Sequence, residues 1–78
     1  MQNESVIETK MKEVLGSMLD DYTQKVHGTI ERETIDGITY IKRYPATERD
    51  RIEVQCGFRV CAIEPWDISR AVQQRSRR

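Results

Sequence analysis

The segment from Ile52 to Glu64 constrains the fold of this chain most strongly, because apolar or small side chains alternate with polar ones along it. Alternation with a period of two is typical of a β-strand that has one buried face. We therefore expect one long strand over about residues 51–63, bent at Gly57, with Val54 and Val60 in the core. The alternating apolar positions are Ile52, Val54, Cys56, Phe58, Val60 and Ala62.

Gly57 also permits a turn within this segment. A two-residue turn at Cys56 and Gly57 is disfavoured. It would pair Val54 with Arg59 and mix the apolar and polar faces. A three-residue turn that pairs Val54 with Val60 keeps the faces apart. The single long strand needs no additional turn, and it is the arrangement that we predict.

The N-terminal third predicts an amphipathic helix. Ser5 and Glu8 form a capping-box pattern, in which both side chains bond to backbone N–H groups at the start of a helix. Gly28 follows the last apolar position and is a common helix stop. We predict a helix over about residues 6–27 with one broad apolar stripe. The stripe contains Ile7, Met11, Val14, Leu15, Met18, Leu19, Tyr22 and Val26.

Two runs rich in β-forming residues follow, over about residues 29–35 and 38–44, separated by the dipeptide Asp36-Gly37. This dipeptide favours a two-residue hairpin turn, because both of its residues accept positive φ. Such a turn would place Glu31 opposite Lys42, a cross-strand pair of opposite charge. Neither face of the hairpin is uniformly apolar, so we expect part of it at an edge of the sheet or against a partner.

Pro65 suits the first turn of a second helix, which we expect over about residues 66–75, followed by a basic tail at 76–78. The polar residues 45–50 read as a loop. The resulting order is α-β-β-β-α. We predict a single α+β domain over residues 1–78, in which the N-terminal amphipathic helix and the short C-terminal helix pack on a three-stranded antiparallel sheet.

This order of elements, on a chain of this length, is similar to that of the double-stranded-RNA-binding domain. That family has a lysine-rich start to its second helix, which reaches the phosphates. Here the corresponding residues 65–70 read PWDISR, with Asp67 where a cation is expected. The resemblance extends to element order alone, and no binding residue is carried over from it.

The core of this domain is expected to be small. Of 78 residues, 37% are hydrophobic and 33% are charged, which is more polar than the globular average. A small domain with a thin core is often stabilised by a second copy of itself. We therefore expect a homodimer.

Charge, hydropathy and cysteine content indicate which partners, cellular location and thiol state suit this chain. Thirteen basic residues balance thirteen acidic ones, so attraction to a polyanion is not the dominant property. The sequence has no long apolar run and no secretory-type start, which predicts a soluble, cytoplasmic protein without membrane contact. On one continuous strand Cys56 and Cys61 would face opposite sides, about 16 Å apart, too far for a disulfide. We expect two free thiols, with an intermolecular disulfide as the alternative if Cys61 is exposed.

The sequence contains no clear catalytic or metal-binding motif. His27 is the one histidine, and one His with two Cys cannot complete a four-ligand zinc site. Glu31 and Glu33 share one face of a strand, but Lys42 lies opposite, which favours a charged surface over an acid–base pair. We predict no enzymatic activity, no metal and no cofactor.

These observations favour a small non-catalytic protein that binds a protein partner, as an accessory regulator or as a phage- or plasmid-type inhibitor of host machinery. The binding surface would combine the exposed part of the first helix with the hairpin edge, because methionine adapts to a partner and aromatic residues anchor interfaces. The predicted partner contacts are Met11, Met18, Tyr40 and Tyr44.

The alternative is a nucleic-acid-binding module. Basic residues flank the 45–50 loop and close the chain, and together they could contact phosphates. The residues predicted for this role are Lys42, Arg43, Arg49, Arg51, Arg75, Arg77 and Arg78.

Overall fold

Within residues 4–22 and 27–76, which the computed structural model describes, the chain forms two helices and one four-stranded antiparallel sheet. The predicted α+β class is confirmed, whereas the predicted three-stranded sheet is wrong by one strand. The strands pair in chain order, so each strand lies beside its neighbours in sequence. The elements are α1 (Glu4–Asp21), β1 (Ile30–Ile35), β2 (Ile38–Arg43), β3 (Ile52–Cys56), β4 (Arg59–Ile63) and α2 (Pro65–Ser76).

The β1–β2 hairpin is closed by two residues with positive φ, 53° at Asp36 and 80° at Gly37. A two-residue turn with this backbone matches the twist of the flanking strands. Glu31 lies opposite Lys42 in the resulting register. The predicted turn and register of this hairpin are confirmed.

A second two-residue turn, at Gly57 and Phe58, divides the predicted long strand into β3 and β4. Gly57 has a φ of 62°, a left-handed value that glycine adopts without the strain that a Cβ would add. Cys56 pairs with Arg59 across this turn. The prediction of one continuous strand is wrong, and the turn lies one residue after the Cys56-Gly57 turn considered from the sequence.

The position of this turn decides which β4 side chains face the helices. Val54 pairs with Cys61, and Gln55 pairs with Val60, and directly paired residues share a face of the sheet. Val54 is fully buried, as predicted, but Val60 is 50% exposed. The prediction that Val60 lies in the core is therefore wrong. Residues 60–63 are all apolar, so alternation alone could not assign the two faces of β4.

The core lies on one face of the sheet, against α1 and α2. α1 contacts β3 and β4, and Ile68 of α2 joins the same apolar cluster. The buried residues of α1 recur at helical spacing, as the predicted stripe requires. The buried core residues are Met11, Val14, Leu15, Met18, Tyr40, Tyr44, Ile52, Val54 and Ile68.

The opposite side of the sheet, which we call the open face, carries mostly polar or half-exposed side chains. On this face Nη2 of Arg43 donates a hydrogen bond to Oε1 of Gln55 at 3.3 Å. The hydroxyl oxygens of Thr34 and Thr39 lie 3.0 Å apart. Alternate residues of each strand form the open face, namely Ile30, Arg32, Thr34, Thr39, Ile41, Arg43, Glu53, Gln55, Val60 and Ala62.

The first helix begins and ends earlier than predicted. α1 starts at Glu4, two residues before the predicted start, and ends at Asp21. Residues 23–26 lie outside the described residues, and the predicted stripe position Val26 lies there with them. His27 lies in a turn, so the prediction of a helix that includes it is wrong.

The second helix follows β4 after a single residue. The carbonyl of Glu64 accepts hydrogen bonds from the N–H groups of Asp67 at 3.0 Å and Ile68 at 2.9 Å. Asp67 also suits the positive end of the helix dipole. Neither of the helices in the described ranges has the length and apolar composition needed to cross a membrane. The order α-β-β-β-β-α of these ranges has one strand more than the order shared with the double-stranded-RNA-binding domain.

Cys56 and Cys61 lie on adjacent strands and on the same face of the sheet. Both are partly buried free thiols, as predicted. Cys56 pairs with Arg59, so Cys61 is its diagonal neighbour, with Cα atoms about 7–8 Å apart. That separation exceeds the usual range for a disulfide. The predicted placement on opposite faces is wrong, because the turn at Gly57 reverses the chain between the two residues.

The burial of β3 and β4 predicts different responses to the same substitution. Val54→Thr places a hydroxyl in the core and should lower the free energy of unfolding by about 1–3 kcal/mol. Val60→Thr keeps a β-branched side chain at a half-exposed site and should change it by less than about 0.5 kcal/mol. Urea unfolding followed by circular dichroism measures both. Equal losses at the two positions would contradict the observed pairing of β3 with β4.

Candidate functional site

Exposed large hydrophobic side chains concentrate around β4. Phe58, at the tip of the β3–β4 turn, is fully exposed, and Val60 and Trp66 are 50% and 66% exposed. The other strongly exposed large apolar side chains among the described residues are Val6 on α1 and Ile30 on β1. Grouped apolar side chains on a surface mark interaction sites, whereas scattered ones are ordinary.

The backbone of β4 has hydrogen-bonding groups that point away from the sheet. In an antiparallel pair, residues that exchange bonds with the neighbouring strand alternate with residues that do not. The two-residue turn makes Cys56 and Arg59 a bonded pair, so Cys61 and Ile63 also bond to β3. The N–H and C=O groups of Val60 and Ala62 therefore point outward. We call this free side of β4 the β4 edge. In the chain, Phe58 directly precedes β4, and Trp66 follows it at the start of α2.

The opposite edge of the sheet, formed by β1, is protected by charge. Three of its six residues are charged and consecutive, namely Glu31, Arg32 and Glu33. Charged residues on an edge strand discourage pairing with another strand. In β4 the only charged residue is Arg59, next to the turn. The two edges of this sheet thus differ in their capacity to accept a further strand.

Lys42 is held by two glutamates of β1. Its Nζ lies 3.0 Å from an oxygen of Glu33 and 3.6 Å from an oxygen of Glu31. Burial disfavours the charged ammonium, but the hydrogen bond to Glu33 and the nearby negative charges outweigh it and raise the pKa of Lys42 above its ordinary value. This part of the hairpin is an ion-pair cluster of two carboxylates and one ammonium.

Arg51 is engaged in a second cluster, beside the start of β3. Its Nε donates a hydrogen bond to Oε1 of Glu53 at 2.6 Å, and its Nη1 lies 3.6 Å from Oε1 of Glu64. The hydrogen bond to Glu53 and the charge of Glu53 raise the pKa of the Arg51 guanidinium above its ordinary value. Glu53 and Glu64 therefore balance the charge of this arginine.

The residues predicted as partner contacts lie inside the domain. Met11 and Met18 of α1 are at most 1% exposed, and Tyr40 and Tyr44 are 1% and 5% exposed. Burial raises the pKa of the Tyr40 hydroxyl, in keeping with this position. The structure corrects the sequence-based expectation, because these large side chains fill the core between α1 and the sheet and are not available to a partner.

The four predicted nucleic-acid-binding cations whose side chains the structure describes do not share one face of the sheet. Lys42 and Arg43 are consecutive in β2 and lie on opposite faces of the sheet. Arg49 is exposed in the 45–50 loop, while Arg51 is paired with glutamates. The side chain of Arg75 and residues 77–78 lie outside the described parts of the chain, so their predicted role stays a prediction.

The residues considered for catalysis lie apart from the β4 edge. His27 is exposed in the turn before β1. Glu31 and Glu33 share one ion-pair cluster with Lys42. A groove of about 490 Å³ lies on another side of the domain, where α2 meets the 45–50 loop, and opposite charges line it together with Ile68 and Val72.

The sequence did not predict the β4 edge, because it did not predict the turn that separates β4 from β3. Gly57 and Phe58 are the two loop residues, but Phe58 also fits the alternation that predicts a continuous strand. The β4 edge can form backbone hydrogen bonds with a partner, and apolar side chains near it can add contacts. Comparison with known protein families, curated proteins and solved structures yields no match.

The Lys42 cluster predicts a stability difference that depends on pH. Lys42→Met should lower the free energy of unfolding by about 1 kcal/mol at pH 7. Because the folded-state pKa is raised, this contribution is fully present below the ordinary value of 10.5 and is lost as the pH rises through the folded-state value. Urea unfolding at pH 7, 9 and 11 tests it, with Lys12→Met on the exposed side of α1 as control. A Lys42→Met difference that stays constant to pH 11 would contradict the ion-pair account.

Proposed function

We propose that this chain is a non-catalytic protein-binding domain that accepts an extended protein segment along the β4 edge. The observation that carries the proposal is the coincidence of outward backbone groups at Val60 and Ala62 with exposed aromatic side chains at both ends of the strand. Strand addition of this kind draws its affinity from main-chain hydrogen bonds, and adjacent side chains supply specificity.

Phe58 and Trp66 are suited to act as anchors. Aromatic side chains carry a large share of the binding energy in protein interfaces. Phe58 and Trp66 are exposed, whereas Tyr40 and Tyr44 are buried. The anchors of a partner would therefore be at the ends of β4 and not on the first hairpin, where the sequence placed them.

The proposal includes the regulatory role expected from the sequence. A domain that only binds acts by changing what its partner can contact, as an accessory regulator or an inhibitor does. The carboxylate pair considered for acid–base chemistry, Glu31 and Glu33, supports a non-catalytic role, because both residues are used in the ion pairs with Lys42.

Nucleic-acid binding has less support. Lys42 and Arg51 already have carboxylate partners, and a phosphate would have to compete with them. The open face mixes arginines with Glu53 and with apolar side chains. We therefore treat nucleic acid as an outcome of the experiment.

A matched pair of substitutions tests the proposal. Val60 and Ile30 are both β-branched, are 50% and 53% exposed, and lie on the open face at opposite edges of the sheet. Val60→Lys puts a charge beside the β4 edge and should reduce retention of the partner at least about tenfold. Ile30→Lys should leave retention unchanged. The tagged variants are compared in nuclease-treated lysate of the native host, and retained proteins, including untagged copies of this chain, are quantified by mass spectrometry.

The proposal fails if every retained protein is held equally by the wild-type and Val60→Lys chains. It also fails if untreated lysate yields nucleic acid and every protein retained with it is lost on nuclease treatment. Circular dichroism of both variants confirms that each is folded before the comparison is made.

A further inference from the structure

The β4 edge is complementary to itself. We propose that the segment it accepts is β4 of a second copy of this chain, paired antiparallel about a twofold axis through Cys61. This inference rests on the proposed function, because it names the occupant of the same edge. The two sheets would join into one continuous sheet of eight strands, with both open faces on the same side.

The free backbone groups fix the register of this pairing. With the axis at Cys61, Val60 of each copy lies opposite Ala62 of the other, and the outward groups of both residues find partners in four backbone hydrogen bonds. Neighbouring registers lack suitable groups. An axis at Val60 would require Phe58, which lies in the turn, to bond to Ala62 of the other copy.

An axis at Ala62 is disfavoured for a related reason. It would place Val60 opposite Glu64 of the other copy. The Glu64 carbonyl already accepts hydrogen bonds from Asp67 and Ile68 at the start of α2. The register centred on Cys61 is the one that uses only groups that the fold leaves open.

Charge does not oppose pairing at this edge, but it opposes pairing at the other. With the axis at Cys61, Arg59 faces Ile63 of the second copy, and no residue of β4 faces a like charge. Self-pairing of β1 about any of its three charged residues would place Glu31, Arg32 or Glu33 opposite its own copy. Like charges directly opposite each other destabilise a strand pair. The second copy is therefore expected at β4 and not at β1.

The size of the chain supports a second copy as the occupant. A domain of this length buries only about 60% of the surface that its unfolded chain exposes, and oligomerisation is one way in which small domains gain stability. Pairing at β4 would extend the sheet past Val60.

The predicted twofold axis at Cys61 can be tested by disulfide formation. Cys61 would face Cys61 of the second copy as a non-hydrogen-bonded pair, with Cα atoms about 4.5 Å apart. This distance falls within the range of disulfides. Cys56 lies on β3, so its counterpart would be three strand spacings away, about 14 Å across the sheet, and about 13 Å further along the strands, about 19 Å in all. An oxidant should therefore link two copies through Cys61 and not through Cys56.

The first measurement is the mass of the purified chain by sedimentation equilibrium under reducing conditions. The wild-type and Ile30→Lys chains should both show twice the 9.2 kDa mass of one chain. Val60→Lys should weaken the dimer at least tenfold. A wild-type chain that stays monomeric, or a dimer that Val60→Lys leaves intact, overturns the inference.

The second measurement retains Val60 and so does not depend on the folding of the Val60→Lys variant. Diamide is added to Cys56→Ser and Cys61→Ser, each of which keeps one thiol. Two thiols lose two protons and two electrons to the N=N bond of diamide, which becomes a hydrazine, and an S–S bond forms. Cys56→Ser should give a reducible dimer on a non-reducing gel, and Cys61→Ser should not. The reverse pattern, or equal cross-linking, overturns the inference.

Failure of this inference is distinguishable from failure of the proposed function. A monomeric pure chain that retains a different protein in lysate, in a manner that depends on Val60, overturns the second copy alone. Lysate retention that is independent of Val60 overturns the protein-binding role of the β4 edge, and with it the argument for a second copy there.

Discussion

The reversal of the chain at Gly57 and Phe58 is the constraint on which the remaining structure depends. It converts one apolar segment into two paired strands, so that β3 has a neighbour on each side. Ile52 and Val54 of β3 are fully buried in consequence. The same reversal moves the free edge of the sheet to β4, a strand with almost no charge. A single local turn therefore provides both the centre of the core and the surface that we assign to binding.

The parts of the fold that could be predicted from the sequence are those that local chemistry determines. Asp36-Gly37 specifies its turn because few residue pairs accept two positive φ angles. The stripe of α1 is visible because helical spacing brings its apolar residues together. The turn at Gly57 was not predictable in this way, since Phe58 is apolar and continues the alternation. Both faces of β4 carry apolar residues, so the pattern did not reveal the reversal.

The candidate site was misplaced for a different reason, which is the small size of the core. Leucine occurs only twice in the chain, so methionine and tyrosine occupy volume that leucine fills in other domains. Met11 and Tyr40 look like adaptable surface residues in the sequence, yet both are fully buried or nearly so. The exposed aromatic residues, Phe58 and Trp66, fall where a turn and a helix start remove them from the core. The topology of the sheet decides which aromatic residues are exposed, and the sequence pattern does not reveal that topology.

The charged residues show how the same chain can protect one edge and leave the other open. Glu31 and Glu33 of β1 form ion pairs with Lys42, so this edge carries charged side chains that have partners. Beside β4, Arg51, Glu53 and Glu64 form an ion-pair cluster that includes a residue of β3, because Glu53 lies opposite Ala62. An open antiparallel sheet has two edge strands with unpaired backbone groups. Here the edge strand β1 is protected by charge, whereas β4 is not.

Amide hydrogen exchange by NMR, measured at several protein concentrations, tests the openness and pairing of β4 most directly. We predict that the Val60 and Ala62 amides exchange rapidly in dilute solution while the Cys61 amide is protected, and that their exchange slows as the concentration rises. The outward amides of Arg32 and Thr34 on β1 should remain fast throughout. Val60 and Ala62 amides that are protected at concentrations where sedimentation shows a monomer, or that stay fast at concentrations where it shows a dimer, would contradict the account.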